Sequence, residues 1–364
     1  MSGPVRGEES AERAPLAKAG GSAEKGPGAA GAEEEVLLQV RDLRTWFPIR
    51  KGLLRKVVGH VRAVDGVSFD VRAGQTLALV GESGCGKTTV GRSLLRLVPV
   101  ASGSVHFRGR DLLALSEEEL RPVRRSLQMV FQDPMTSLNP RLRVRDLVAE
   151  GLQSFGIGAN EAERTERVAE VLRRVRLSPD HMRRFPHEFS GGQRQRIGIA
   201  RALAVEPELI ICDEAVSALD VSIQAQVLNL LGELQAELGL AYLFITHDLS
   251  VVRYLAHEVA VMYLGQIVEH GPTEPVFALP KHPYTQGLLA AVPSADPSAR
   301  RVAVRVLGDV PSPANPPPGC RFHTRCPERF EPCDKRMPEP YPVGDPAAGE
   351  AAEDRYARCF LYEP

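Results

Sequence analysis

The sequence predicts an α/β fold built on a largely parallel sheet, and three observations carry that expectation. Short apolar runs, Leu77-Ala-Leu-Val80, Leu209-Ile-Ile-Cys212 and Tyr242-Leu-Phe-Ile245, end in glycine or polar residues as buried strands do. Amphipathic stretches with helical spacing lie between them. The first run leads directly into Gly81-Glu-Ser-Gly-Cys-Gly86-Lys87-Thr88, a glycine-rich loop with a strand before it and a helix after it. Strands that alternate with helices pair in parallel, because each crossover helix brings the chain back to the same edge.

The elements follow in order along the chain. Residues 1–35 are Gly, Ala, Glu and Ser with scattered Pro, and are expected to form a disordered tail. Val36-Leu-Leu-Gln-Val40 and Val67-Ser-Phe-Asp-Val71 read as strands. Val168, Val171, Leu172 and Val175 hold one helical face behind an Asn160-x-x-Glu163 capping pattern. Ile223, Val227, Leu230, Leu231, Leu234 and Leu238 hold another. Val259–Glu269, broken at Gly265, reads as a hairpin. After Gly271 the chain turns proline-rich, with five prolines in Pro311–Pro318, which predicts a linker or wrapped extension rather than more sheet.

Composition narrows the function classes. The chain has 364 residues, 25% charged and 43% hydrophobic, enough for one large domain or one domain with appendages. A net charge of −1 gives no basic field, so no nucleic-acid partner is expected. The longest apolar stretches fall far short of the roughly 20 residues that span a bilayer. The N-terminus lacks the apolar core of a signal peptide. The expectation is a soluble, intracellular chain that meets a membrane only through partner proteins.

Two local patterns point to phosphate chemistry. In the loop 81–88, glycines let backbone N–H groups turn toward phosphate oxygens. Lys87 adds positive charge near the β- and γ-phosphates, and the Thr88 hydroxyl suits Mg²⁺. Thr89 begins a helix whose positive end favours the same anion. Cys85 reads as a small filler of that loop rather than a nucleophile. The strand Leu209–Cys212 emerges into Asp213-Glu214. Asp213 suits Mg²⁺ because hard cations take carboxylate oxygen, and Glu214, one residue on, can act as general base on an attacking water.

Phe189-Ser190-Gly191-Gly192-Gln193, running into Arg194-Gln-Arg-Ile-Gly-Ile-Ala-Arg-Ala-Leu203, resembles the signature of the ABC ATPases. Val130-Phe-Gln132-Asp-Pro resembles their Q-loop, Ser217-Ala-Leu-Asp220 their D-loop, and Phe244-Ile-Thr-His247-Asp their switch histidine. The resemblance covers roughly residues 36–290. It implies a P-loop NTPase cassette: a RecA-like nucleotide-binding lobe with an inserted α-helical lobe at about 132–205, and a Cys-rich C-terminal extension. Domain boundaries are accordingly placed at 36–270 for the cassette and 271–364 for the extension. It also implies that Gly81, Ser83, Gly84, Cys85, Gly86, Lys87, Thr88 and Thr89 bind ATP, and that Thr88, Gln132 and Asp213 bind Mg²⁺. Glu214, His247 and Gln132 are the implied catalytic residues. Ser190, Gly191, Gly192, Gln193 and Asp220 would serve the ATP of a second cassette. Members stack adenine on an aromatic before the loop; Phe47 is the candidate, with a core role as the equal alternative, because the basic stretch Arg50–Arg55 blurs the alignment.

Asp213-Glu-Ala-Val-Ser-Ala-Leu-Asp-Val-Ser222 has Ala-Val where most cassettes carry Pro-Thr, and resembles the second, F-type ATPase of oligopeptide and dipeptide importers. Lys281-His-Pro-Tyr284-Thr-Gln-Gly-Leu-Leu289 and Gly319-Cys-Arg-Phe-His-Thr-Arg-Cys-Pro327 resemble the same group. The implied partners are a paralogous ATPase, two transmembrane permeases and, indirectly, an extracytoplasmic solute-binding protein, at the cytoplasmic face of the cell membrane. A nickel or other solute importer and a soluble non-transport ABC ATPase are the alternatives. Cys320, Cys326, Cys333 and Cys359 space as C-x5-C-x6-C-x25-C, which fits neither the usual zinc pattern nor a ferredoxin run. Chemistry leaves iron–sulfur, zinc and no metal open; the resemblance implies a [4Fe–4S] cluster that ties down the tail.

Overall fold

A computed structural model describes residues 35–291, 306, 308–344 and 355–364, and the expected disordered tail lies outside them apart from residue 35. Residues 35–364 form one compact unit. It opens with β1 (Val36–Lys51) and β2 (Lys56–Arg72), a single long antiparallel hairpin. The sequence showed only the two ends of this hairpin, because repeated register shifts between Val36 and Arg50 break the apolar alternation. The basic stretch is its turn: Gly52 and Arg55 take positive φ, and Leu53 and Leu54 project into solvent.

β3 (Thr76–Val80) runs through the phosphate loop into α1 (Lys87–Leu94). β4 (Ser102–Phe107) and β5 (Arg110–Asp111) join β1 and β2 in a sheet of order β2-β1-β4-β5. α2 (Glu117–Ser126) starts at Ser116, whose hydroxyl accepts from Glu119 N–H while the Glu119 carboxylate accepts from Ser116 N–H, and it leads into β6 (Leu127–Val130).

A helical segment follows: α3 (Pro134–Ser137), α4 (Val144–Ser154), α5 (Glu161–Arg174) and α6 (Gly191–Leu203). The Asn160 cap is formed, its side chain accepting from Glu163 N–H at 3.0 Å, and Val168 and Leu172 are fully buried. β7 (Leu209–Asp213), α7 (Val221–Leu238), β8 (Ala241–Thr246), α8 (Leu249–Leu255), β9 (Glu258–Tyr263) and β10 (Gln266–Pro272) complete the cassette-like part of the chain. On α7 the apolar face is buried from Val227 to Leu234, whereas Leu238 is partly exposed beside the Gly239 cap.

The larger sheet has the order β11-β12-β10-β9-β3-β8-β7-β6, with β9, β3, β8, β7 and β6 parallel. Every residue of β3, β7 and β8 is buried, as expected for parallel strands covered on both faces. One core layer packs β1, β2 and β4 against Leu77, Leu79, Ile211, Leu243 and Ile245, and another packs α4–α7 against Ile210, Tyr242 and Phe244.

Beyond β10 come α9 (Thr273–Ala278) and α10 (Pro283–Ala290). The proline-rich region departs from expectation, because β11 (Tyr341–Pro342) and β12 (Tyr356–Ala357) do add sheet, β12 pairing with Glu269 and His270 of β10. These strands are two residues each, too short to show a period. They are held by a buried ion pair: Arg355 donates to Glu269 at 2.8 Å and also to the carbonyls of Pro275 and Leu279. Glu269 further accepts from the N–H groups of Lys281 and His282, so neither charge is left unmatched.

Arg355→Ala strips Glu269 of its cation while leaving it buried. The expected loss is about 3–5 kcal/mol, read as a lower midpoint in urea unfolding. His282 adds a pH dependence. Burial pushes its imidazole from 6.5 down to about 3. Between those values the unfolded chain binds a proton that the folded chain refuses, so stability rises with pH and is lost as pH falls below about 6.5. His282→Asn keeps an acceptor for Tyr284 N–H and removes the titration, so its stability curve from pH 6.5 to 4 is expected to be flatter than that of the unsubstituted chain.

Candidate functional site

The loop after β3 is shaped from outside by neighbouring backbone. A Cβ on Gly81 would stand 2.1 Å from the carbonyl oxygen of Met262, and one on Gly86 would stand 2.0 Å from that of Ala63. Both glycines also have φ in the left-handed region, +152° and +110°. With no side chain between them, the loop lies against β2 and β9. Lys87 is buried, and its Nζ donates back to the carbonyls of Gly81 at 2.8 Å and Glu82 at 3.0 Å. No side chain caps the first turn of α1, so its N–H groups stay available to an anion.

The loop floors a cavity of about 550 Å³. Gly81, Ser83, Gly84, Gly86, Lys87, Thr88 and Thr89 line it from below, and Gln132, Glu214 and His247 from one side. These three come from the ends of β6, β7 and β8, which the parallel sheet brings to the same edge. Gln132 Nε2 donates to Glu214 Oε2 at 2.7 Å, and His247 Nδ1 lies 3.4 Å from Glu214 Oε1. Glu214 is a non-glycine residue at φ +47°, held there by its N–H donating to Ile245 and its carbonyl accepting from Ser217. Such a strained backbone persists only where the surroundings fix it.

Asp213 lies beneath the cavity, almost fully buried, and accepts from the Thr88 hydroxyl at 2.8 Å. Burial raises its pKa, partly opposed by the Thr88 hydrogen bond. A carboxylate desolvated in this way gains from a cation placed beside it. Cys85 is buried too, its thiol pushed up by burial, and it does not line the cavity.

Several sequence-predicted residues lie elsewhere. Ser190, Gly191, Gly192, Gln193 and Asp220 do not line this cavity. Ser190 caps α6, accepting from Gln193 N–H at 3.3 Å while Gln193 accepts from Ser190 N–H at 3.0 Å, and Ser190 and Gly191 are exposed. Asp220 is exposed at the start of α7. Phe47 is half-buried, outside both the cavity lining and the three core clusters, although its cross-strand partner Val61 lines the cavity. Val61, Ala63, Leu288 and Pro313 also form cavity walls without any local sign in the sequence, because nothing local marks a residue that arrives from a distant segment.

The expectation of a metal cluster in the extension is corrected. Among the described residues, no group of three or more His, Cys, Asp and Glu side chains could hold a metal ion. Cys320, Cys326, Cys333 and Cys359 are free thiols. Burial first, then the neighbouring cysteines, pushes the Cys320 thiol up to about 12 and that of Cys326 to about 11. Neither the [4Fe–4S] cluster nor the zinc alternative has a supporting ligand group among the described residues. The extension is fastened instead by Phe322, packed on Tyr263 and Tyr284, and by arginines.

Residues 64–217 match the family model described as ABC transporter, and residues 268–333 match the one described as oligopeptide/dipeptide transporter, C-terminal region. The chain is 52% identical over 334 residues to the oligopeptide transport ATP-binding protein AppF of Bacillus subtilis, covering 91% of this chain and 99% of that protein. It is 48% identical to the dipeptide transport ATP-binding protein DppF of Escherichia coli, covering 84% and 91%. Among solved structures, CbiO1 of Clostridium perfringens, part of the CbiONQ ABC transporter complex, superposes with a TM-score of 0.57 at 29% identity, covering 67% of this chain and 92% of that one. The ATP-binding cassette MJ0796, in a dimeric post-hydrolysis state bound to ADP and Pi, gives a TM-score of 0.58 at 27% identity, covering 65% and 98%.

Asp213→Asn keeps an acceptor for Thr88 and removes a desolvated charge. The thermal midpoint without added ligand is therefore expected to hold or rise. A fall of more than about 5 °C in a thermal melt would count against the burial of charge at this position.

Proposed function

This chain belongs to the family of ABC-transporter ATP-binding proteins that includes the oligopeptide and dipeptide transport ATPases, and we propose that it hydrolyses ATP to drive peptide uptake. The observation that carries the reading is the single cavity that joins the loop 81–88 to Gln132, Glu214 and His247. ATP and Mg²⁺ are the ligands the family implies.

In this reading the N–H groups of residues 83–88 and the Lys87 ammonium take the phosphate chain. Lys87 exchanges the carbonyls of Gly81 and Glu82 for phosphate oxygens. Thr88, Asp213 and Gln132 offer oxygen donors to Mg²⁺, which when bound neutralises charge on the β- and γ-phosphates. Glu214 accepts the proton of the attacking water, and Gln132, already bonded to the same carboxylate, orients it. His247, exposed and beside Glu214, contacts the γ-phosphate and holds the base in place. Phe47, paired across the strands with the cavity-lining Val61, is the aromatic assigned to adenine.

Ser190–Gln193 and Asp220 serve a different ATP from the one bound by their own loop. Two cassettes packed head to tail would set the exposed start of α6, with its Ser190 cap, against a partner's phosphate loop, where the positive end of the helix suits the γ-phosphate. We assign the partner cassette to a paralogue and the helical segment 132–205 to contact with two permeases at the cytoplasmic face of the membrane, with a solute-binding protein delivering peptide from outside. No described helix is long and apolar enough to cross a membrane. In that segment Asn139 is exposed and open to a partner, whereas Leu138 is buried in the core.

Glu214→Gln keeps an acceptor for Gln132 and removes the base. Its ATP affinity is expected to stay within a fewfold of the unsubstituted chain, while hydrolysis falls by about 10²–10⁴-fold. Hydrolysis at the original rate would sink the assignment of the base.

A further inference from the structure

Glu82, inside the phosphate loop, is held at every polar group it has. Its N–H donates to the Tyr284 hydroxyl at 2.9 Å, and its carbonyl accepts from Lys87 at 3.0 Å. Its carboxylate receives both ends of the Arg325 guanidinium, at 2.8 and 3.3 Å. Tyr284 and Arg325 both lie in the C-terminal region, and Arg325 stands 243 residues away in sequence. Arg325 is itself almost buried, with Nε donating to the Gly308 carbonyl and the guanidinium over the Tyr263 ring. The same region supplies Pro313 to the cavity wall, its carbonyl accepting from Arg62 N–H at 3.0 Å.

A carboxylate on a loop that binds polyphosphate has the wrong sign for its ligand. A free Glu82 would oppose ATP through a partly desolvated medium, where a unit charge is felt more strongly than in water. The two parallel bonds from Arg325 cancel that charge and fix where the side chain points. The Tyr284 bond holds the backbone of the same residue, whose carbonyl is one of the two that Lys87 contacts.

Resting on the reading of this cavity as an ATP site, we propose that Arg325 is a positioning residue of that site: it masks Glu82, so the C-terminal region sets the affinity for ATP. The extension is then a working wall of the nucleotide site.

The test is equilibrium binding of ATP with Mg²⁺ to the full chain, alongside steady-state hydrolysis. Arg325→Ala is expected to weaken binding about tenfold while kcat at saturating ATP stays within about twofold. Adding Glu82→Gln to Arg325→Ala removes the exposed charge and should restore affinity to within about twofold of the unsubstituted chain. Arg325→Lys, which keeps the charge and drops the paired geometry, should fall between. Unchanged binding in Arg325→Ala, or a double variant as weak as the single one, would overturn the proposal. Should Arg325→Ala fail to fold, Glu82→Gln alone carries the test. The cation then left unmatched should tighten ATP binding a fewfold, and equal or weaker binding would overturn the proposal. If the unsubstituted chain binds no ATP, it is the reading of the cavity that fails.

Discussion

Backbone from β2 and β9 already stands where a side chain at Gly81 or Gly86 would go, and the rest of the site depends on that close approach. Because the loop lies close against Ala63 and Met262, it stays at the cavity floor, and the start of α1 lines the same cavity. The parallel pairing of β3 with β8 and β9 holds this arrangement in register, and β7 beside β8 brings Asp213 within reach of Thr88. A shift of one residue in any of these strands would turn the side chains at its end to the opposite face. Position here is set by burial on both faces of the sheet, and the polar chemistry sits at the one edge that burial leaves open.

The second constraint comes from the far end of the chain. A region rich in proline and poor in regular structure would not hold a defined position by its own core. It is held by Phe322 packed on Tyr263 and Tyr284, and by arginines that reach acids in three parts of the cassette: Arg321 to Asp65, Arg325 to Glu82 and Arg355 to Glu269. Each pair is wholly or largely buried, so each depends on good geometry and on further hydrogen bonds to offset desolvation. Those bonds are present: Arg355 reaches two carbonyls and Arg321 reaches that of Leu264. The arrangement anchors the region without thiolate ligation, and among the described residues no metal-holding group is formed.

What could be read in the sequence was the chemistry that is local in the chain. Gly81–Thr88 carries its own spacing, Asp213-Glu214 follows its strand at once, and Ser190 forms its cap with Gln193 three residues on. Each of these is a short-range pattern with a short-range physical cause. The long hairpin was half hidden, because register shifts interrupt the alternation from which strands are read. The wall formed by Leu288 and Pro313, and the reach of Arg325 to Glu82, had no local signal at all. Contacts between residues hundreds of positions apart become visible only once the sheet has closed.

The central claim is that this cavity recognises a polyphosphate through the loop 81–88 rather than a nucleoside through its walls. Equilibrium binding of ATP, ADP and AMP to the full chain, with Mg²⁺ present, tests it most directly. If the loop and Lys87 supply the affinity, ATP and ADP bind, and AMP, which lacks the β-phosphate, binds at least about a hundredfold more weakly. AMP binding as tightly as ADP would contradict the claim.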